Sequence, residues 1–100
     1  MKGNVDPKII AEIWEVICSR ADNPTPDSYT SRLLTDKKGI DKVLEKVGEE
    51  STEFILAVKN GIPVRTIEET SDLFYHILVA LRAADVDLAD VIAELERRRT

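Results

Sequence analysis

Four carboxylates stand out by their spacing. Glu50 and Glu53 lie three residues apart, and so do Glu69 and Asp72. Residues three apart on a helix share a side, so each pair offers two carboxylates to one point. If the two segments are antiparallel neighbours, all four acids converge. Like charges that close repel by several kcal/mol at intermediate dielectric, so either some protons stay on or a cation sits among them. Hard oxygen ligands, no thiolate and a single nearby His favour Mg²⁺ or Mn²⁺ over zinc. A di-iron centre of the ferritin type would want Glu-x-x-His on two helices, but the only histidine, His76, has Leu73 three before it. A second reading of the same residues stays open. Glu49, Glu50 and Glu53 with Lys42 and Lys46 could form ordinary solvated ion pairs, worth a few tenths of a kcal/mol each.

What weighs toward a site is the segment that carries the second acid pair. Glu69 and Asp72 enter the run Leu73-Phe74-Tyr75-His76-Ile77-Leu78-Val79-Ala80-Leu81, which is apolar on nearly every side. A helix of that kind is a buried one. At about 100° per residue, Glu69, Asp72 and His76 form one column on the side away from the Phe74/Leu78 stripe. Acids rarely occupy such a helix without a partner. His76 itself reads as a satisfied core histidine, or one bonded to Asp72, before it reads as a metal ligand.

The elements that must position these groups are helices. Asp6-Pro7 opens the first, from about Pro7 to Ala21, with Ile9, Ile10, Ile13, Trp14 and Ile17 on one face. Asp22-Asn23-Pro24-Thr25-Pro26 reads as a loop. Asp27 or Ser28 then caps a short turn through Tyr29 to Leu34, a connector or a lid, and Asp36-Lys37-Lys38-Gly39 breaks the pattern. The next helix runs from about Ile40 to Lys59, with Ile40, Val43, Leu44, Val47, Ser51, Phe54, Ile55 and Val58 as its stripe and Asn60-Gly61 as its stop. Lys46, Glu50 and Glu53 lie along the edge of that stripe, Lys42 close to the line and Glu49 further out. Another helix begins after Pro63, where Thr66 with Glu69 fits a capping box. After a break from Ala83 to Asp87, Asp87 with Asp90 caps a terminal helix whose Leu88, Val91, Ile92 and Leu95 should face inward.

The expected architecture is a single all-α domain over residues 1–100, a bundle of four to five helices around an antiparallel central hairpin. The inner surfaces of that hairpin exceed what the flanking helices can cover, so the bundle should be completed by a homodimer or a higher homo-oligomer. Hydrophobic residues are 43% and charged residues 33% of the 100, the balance of a globular protein. No apolar run reaches the roughly 18 to 20 residues of a membrane span, and the start lacks a basic and then hydrophobic leader. With the single Cys18 as core filler, a cytoplasmic protein is expected. A net charge of −5 argues against a nucleic-acid partner, and Arg97-Arg98-Arg99 is too short a run to reverse that.

The segments Lys46-Val47-Gly48-Glu49-Glu50-Ser51-Thr52-Glu53 and Glu69-Thr70-Ser71-Asp72-Leu73-Phe74-Tyr75-His76 resemble the phosphoribosyl-ATP pyrophosphohydrolase family. Ser28-Tyr29-Thr30, Leu33-Leu34 and the closing Leu95-Glu96-Arg97 extend the likeness to nearly the whole chain. The two acid pairs alone are shared more widely, with MazG-like nucleotide pyrophosphohydrolases and dimeric dUTPases; the Lys-Val-Gly-Glu-Glu and Asp-Leu-Phe-Tyr-His segments are the narrower sign. The resemblance implies an all-α enzyme, at least dimeric, of the second step of histidine biosynthesis. Its acids hold Mg²⁺ for hydrolysis of the α–β phosphoanhydride of phosphoribosyl-ATP, giving phosphoribosyl-AMP and pyrophosphate. By that likeness Glu50, Glu53, Glu69 and Asp72 are the metal acids, and Glu49 orients or deprotonates the attacking water, with Glu50 beside it as a catalytic acid. Lys46 and Lys42 meet phosphate oxygens. Tyr29, Thr30 and Arg32 form a substrate-facing segment, and His76 is counted with them. Lys often stands in the family where this chain has Arg32, and Asp-Gly where it has Asp36-Lys37-Lys38-Gly39. Association with phosphoribosyl-AMP cyclohydrolase, the next enzyme, is a further expectation. The rivals are a MazG-like house-cleaning nucleoside triphosphate pyrophosphohydrolase and a non-catalytic helical assembly module.

Overall fold

The computed structural model describes residues 3–99, and the described residues form five α-helices and no strand. Helix α1 spans Lys8–Asp22, α2 Tyr29–Leu34, α3 Ile40–Asn60, α4 Pro63–Ala83 and α5 Leu88–Arg98. Local chemistry sets each boundary. The Asp6 carboxylate accepts from the Lys8 N–H at 3.0 Å, just ahead of α1. Ser28 caps α2 by accepting from the Ser31 N–H. Gly61 ends α3 in the left-handed region, φ 70°, where a side chain would be strained, and its N–H returns to the Val58 carbonyl. Asp87 caps α5 through the Ala89 N–H.

The capping box expected at Thr66 and Glu69 is not formed. Pro63 takes the first helical position and Ile62 the cap, so α4 starts one turn earlier. Thr66 lies inside the helix with its hydroxyl donating to the Ile62 carbonyl, and Glu69 is free to turn inward.

Only Gly61 and Ile62 separate α3 from α4, which makes them an antiparallel pair and the most extensive contact of the molecule. The hydrophobic core lies at one end of this hairpin. Val43 of α3 and Leu78 and Val79 of α4 pack there with Ile17 of α1, Leu33 of α2 and Leu88 of α5, flanked by Ile10, Ile13, Trp14 and Tyr75. Ser31 fastens the outer helices together: its hydroxyl donates to the Arg20 carbonyl and accepts from the Thr25 N–H, each at 3.1 Å.

The faces of the hairpin that the other helices leave uncovered are apolar along much of its length. The expected Phe74/Leu78 stripe is split, with Leu78 in the core and Phe74 54% exposed beside an exposed Ile77. Leu44, Ile55, Val58 and Ile67 are exposed as well. A helix apolar on all sides gives its periodicity no way to choose which side faces the chain's own core. The terminal helix shows the same correction: Leu88 is buried, but Ile92 and Leu95 are exposed.

Truncating Ile17 removes a fully buried side chain from the junction of α1 with the hairpin. Ile17→Ala should cost about 2–5 kcal/mol in denaturant unfolding, whereas Ile9→Ala, on the exposed side of the same helix, should stay within about 0.5 kcal/mol of the parent.

Candidate metal centre

In the half of the hairpin that lacks a hydrophobic core, the buried side chains between α3 and α4 are Glu50, Glu69 and Ala57. Glu50 is 8% and Glu69 4% exposed. Asp72, expected to be shielded, is exposed within this chain: it sits one turn past Glu69 at the rim of the hollow that Arg65, Glu68 and Glu69 also line. Glu50, Glu69 and Asp72 each bring one carboxylate oxygen to within 4.8 Å of the others. Opposite ligands of one Mg²⁺ stand about 4.2 Å apart, so slight inward movement suffices for a common ion. Glu53, exposed on α3, abuts Glu69 across the pair. Three of the four expected acids, Glu50, Glu69 and Asp72, thus meet at one point, and Glu53 joins them only through Glu69.

Charge at this point is unbalanced. Burial lifts the Glu69 carboxyl above the ordinary carboxylate pKa, Glu53 lifts it further, and Arg65 only partly opposes them. The two cations in contact are Lys46, with Nζ 3.8 Å from Glu50 Oε1, and Arg65, 2.7 Å from Glu69 Oε1. The remaining oxygens, Glu50 Oε2 and Glu69 Oε2, are buried without a hydrogen-bond partner among the described residues. An orphaned carboxylate oxygen costs several kcal/mol in a protein interior unless a cation meets it. Two such atoms in an all-oxygen cluster fit a hard divalent ion. Lys46 and Arg65, the latter shared with Glu68, leave an excess of negative charge that a divalent ion would reduce.

Lys46 is half-buried. Desolvation pulls its pKa down, but Tyr29 and the carboxylates of Glu49, Glu50 and Glu53 outweigh that and raise it, so the ammonium stays charged beside the acids. Glu49 is exposed on the adjoining surface, and Lys42 is half-buried one turn before Lys46. A chain of polar contacts joins this cluster to α2. Tyr29 Oη lies 3.0 Å from His76 Nε2, while His76 Nδ1 lies 2.7 Å from the Asp72 carbonyl. A carbonyl only accepts, so Nδ1 carries a proton and donates, and in the neutral ring Nε2 accepts from the Tyr29 hydroxyl. His76 is buried, with both ring nitrogens engaged by protein; its Asp72 partner is the backbone rather than the carboxylate. Thr30, also buried, bonds the hydroxyl of Tyr75, and Tyr29 stacks on Tyr75 with ring centres 6.2 Å apart. Arg32 is exposed, donates to the Pro26 carbonyl at 2.9 Å and lies over the Tyr29 ring.

Sequence reasoning passed over Arg65 and Tyr75. Arg65 stands three before Glu68 and four before Glu69 and bonds both, a spacing legible in the sequence.

The chain matches the family described as phosphoribosyl-ATP pyrophosphohydrolase over residues 10–99. It is 74% identical to a phosphoribosyl-ATP pyrophosphatase of Methanoregula boonei, across 98% of this chain and 94% of that one. It is 55% identical to the protein of that name from Methanoculleus marisnigri, across 94% and 97%. A histidine biosynthesis bifunctional protein HisIE of Gloeobacter violaceus is 48% identical across 90% of this chain but 39% of its own length. On a match of this extent, the chain belongs to the phosphoribosyl-ATP pyrophosphohydrolase family.

Proposed function

We propose that this chain hydrolyses phosphoribosyl-ATP to phosphoribosyl-AMP and pyrophosphate, with a divalent ion, Mg²⁺ or Mn²⁺, held by Glu50, Glu53, Glu69 and Asp72. The observation that carries the metal reading is the pair of buried, unpartnered oxygens on Glu50 and Glu69. Family membership supports the substrate. The bound ion would supply charge neutralisation on the polyphosphate and polarise its phosphorus. Glu50 and Glu69 contribute oxygens already desolvated and oriented, which spares reorganisation on binding. In this reading Lys46 exchanges its contact with Glu50 for a phosphate oxygen, with Lys42 one turn away on the same helix. Glu49, exposed next to the cluster, orients the attacking water or takes its proton. Tyr29, Thr30, Arg32 and His76 shape the nucleotide side; the Tyr29 to His76 bond fixes that segment against α4. Reactions of this kind ask a protein mainly for position and charge, and these residues provide both.

The working form in this reading is a homodimer or higher homo-oligomer in the cytoplasm. Leu44, Ile55 and Val58 recur at helical spacing along α3, as do Ile67, Phe74 and Ile77 along α4, and all six are exposed. Apolar surface of that extent is the kind an isologous partner covers. The bifunctional HisIE relative supports association with phosphoribosyl-AMP cyclohydrolase.

Purified protein with Mg²⁺ should release one pyrophosphate per phosphoribosyl-ATP and leave a panel of nucleoside triphosphates nearly untouched; the reverse preference would support a house-cleaning enzyme. Glu50→Gln should lose roughly 10²-fold or more in rate. Sedimentation should give at least a dimer, and Phe74→Glu should shift it toward monomer; a parent that is monomeric at assay concentration contradicts the assembly. The raised carboxyl of Glu69 also sets a pH dependence. Folded protein binds this proton more tightly than unfolded chain, so metal-free stability is greatest below the ordinary carboxylate pKa and declines as pH rises through the raised one. Thermal melts without metal should show that decline, and Mg²⁺ should reverse it near neutrality because the ion requires the ionised form.

A further inference from the structure

The Arg65 guanidinium is forked between two acids of its own helix, one nitrogen 2.7 Å from Glu69 Oε1 and the other 2.5 Å from Glu68 Oε1. Glu68 and Arg65 are exposed at the surface, whereas Glu69 is buried. The fork therefore makes the two oxygens of Glu69 unequal: Oε1 is occupied, and Oε2 is buried without a partner. We propose that Arg65, anchored by Glu68, is a positioning residue that presents Glu69 through Oε2 alone and thereby sets which ion the site accepts. This rests on the metal reading above.

A charge-assisted bond on one oxygen locks the plane of a carboxylate and takes up a lone pair that coordination through both oxygens would use. A ligand restricted to one oxygen suits Mg²⁺ and Mn²⁺, which favour compact octahedral sites. Ca²⁺ takes more oxygens at longer distance and gains from carboxylates that bind through both. Supporting bonds to ligating groups are typically worth 10–100-fold in metal affinity. The positive charge of Arg65 opposes cation binding, but the group is about half exposed and screened by solvent. Ordering of the ligand outweighs that repulsion.

The test is calorimetric titration of MgCl₂, MnCl₂ and CaCl₂ into metal-stripped protein without nucleotide. Arg65→Ala should weaken Mg²⁺ and Mn²⁺ about 10–100-fold and Ca²⁺ much less, narrowing the preference. Arg65→Lys, which offers a point charge in place of a fork, should recover part of the loss. Glu68→Gln, which loosens the anchor without touching the ligand, should move the same way by a smaller step. Metal-free melting temperature should stay near the parent's in Glu68→Gln, whose bond to Arg65 is solvent-exposed, and fall in Arg65→Ala, where buried Glu69 loses its counter-ion. Parent-like or tighter Mg²⁺ binding by Arg65→Ala, or a loss shared equally by Ca²⁺, overturns this inference and leaves the metal reading standing. A parent that binds none of the three ions overturns both.

Discussion

Two carboxylates packed between α3 and α4 govern how this small protein is put together. A helical hairpin ordinarily closes on leucines and valines, and at the Val43, Leu78 and Val79 end this one does, with α1, α2 and α5 folded over it. Toward the Gly61 turn the same interface holds Glu50, Ala57 and Glu69. That half cannot be stabilised by apolar burial. Its coherence depends on what neutralises the acids, and Lys46 and Arg65 do so only in part. The fold thus separates a part that holds the helices together from a part that keeps charge concentrated and dry. Concentrated anionic oxygen at a hairpin's edge is what a divalent ion and a polyphosphate need.

The short helix α2 links the two halves. Ser31 ties it to the end of α1, Leu33 plants it in the core, and Tyr29 reaches His76 one turn along from Asp72. Because His76 also donates to the Asp72 carbonyl, the two bonds tie α2 to the turn of α4 that carries a candidate ligand. Tyr75, whose hydroxyl is pushed to a higher pKa by burial and bonded to Thr30, holds the opposite side of the same segment.

Helix boundaries were legible because the punctuating residues act through local sterics and capping. Pro7, the Pro24/Pro26 loop, Gly61 and Asp87 mark ends that no tertiary contact needs to enforce, and the structure follows them within a residue or two. The meeting of Glu50, Glu69 and Asp72 was legible for a similar reason: three-residue spacing on two helices joined by a tight turn leaves little freedom. What periodicity could not reveal was the facing of α4. Phe74 and Leu78 share one stripe, yet Leu78 is buried and Phe74 exposed, and that choice rests on how the other helices cover α4, which belongs to tertiary packing. The capping box at Thr66 failed because Pro63 started the helix a turn earlier. Arg65 was hidden by commonness, since Arg and Glu four apart occur on many exposed helices, and only the burial of Glu69 makes this pair distinctive.

The central claim is that Glu50, Glu69 and Asp72 share one divalent ion, and anomalous scattering from crystals grown with Mn²⁺ addresses it most directly. The account predicts a manganese peak between the α3 and α4 acids, within coordination distance of Glu50 Oε2 and Glu69 Oε2. Crystals that show no manganese there, or show it only on scattered surface acids while Glu50 and Glu69 remain as they are, would contradict it.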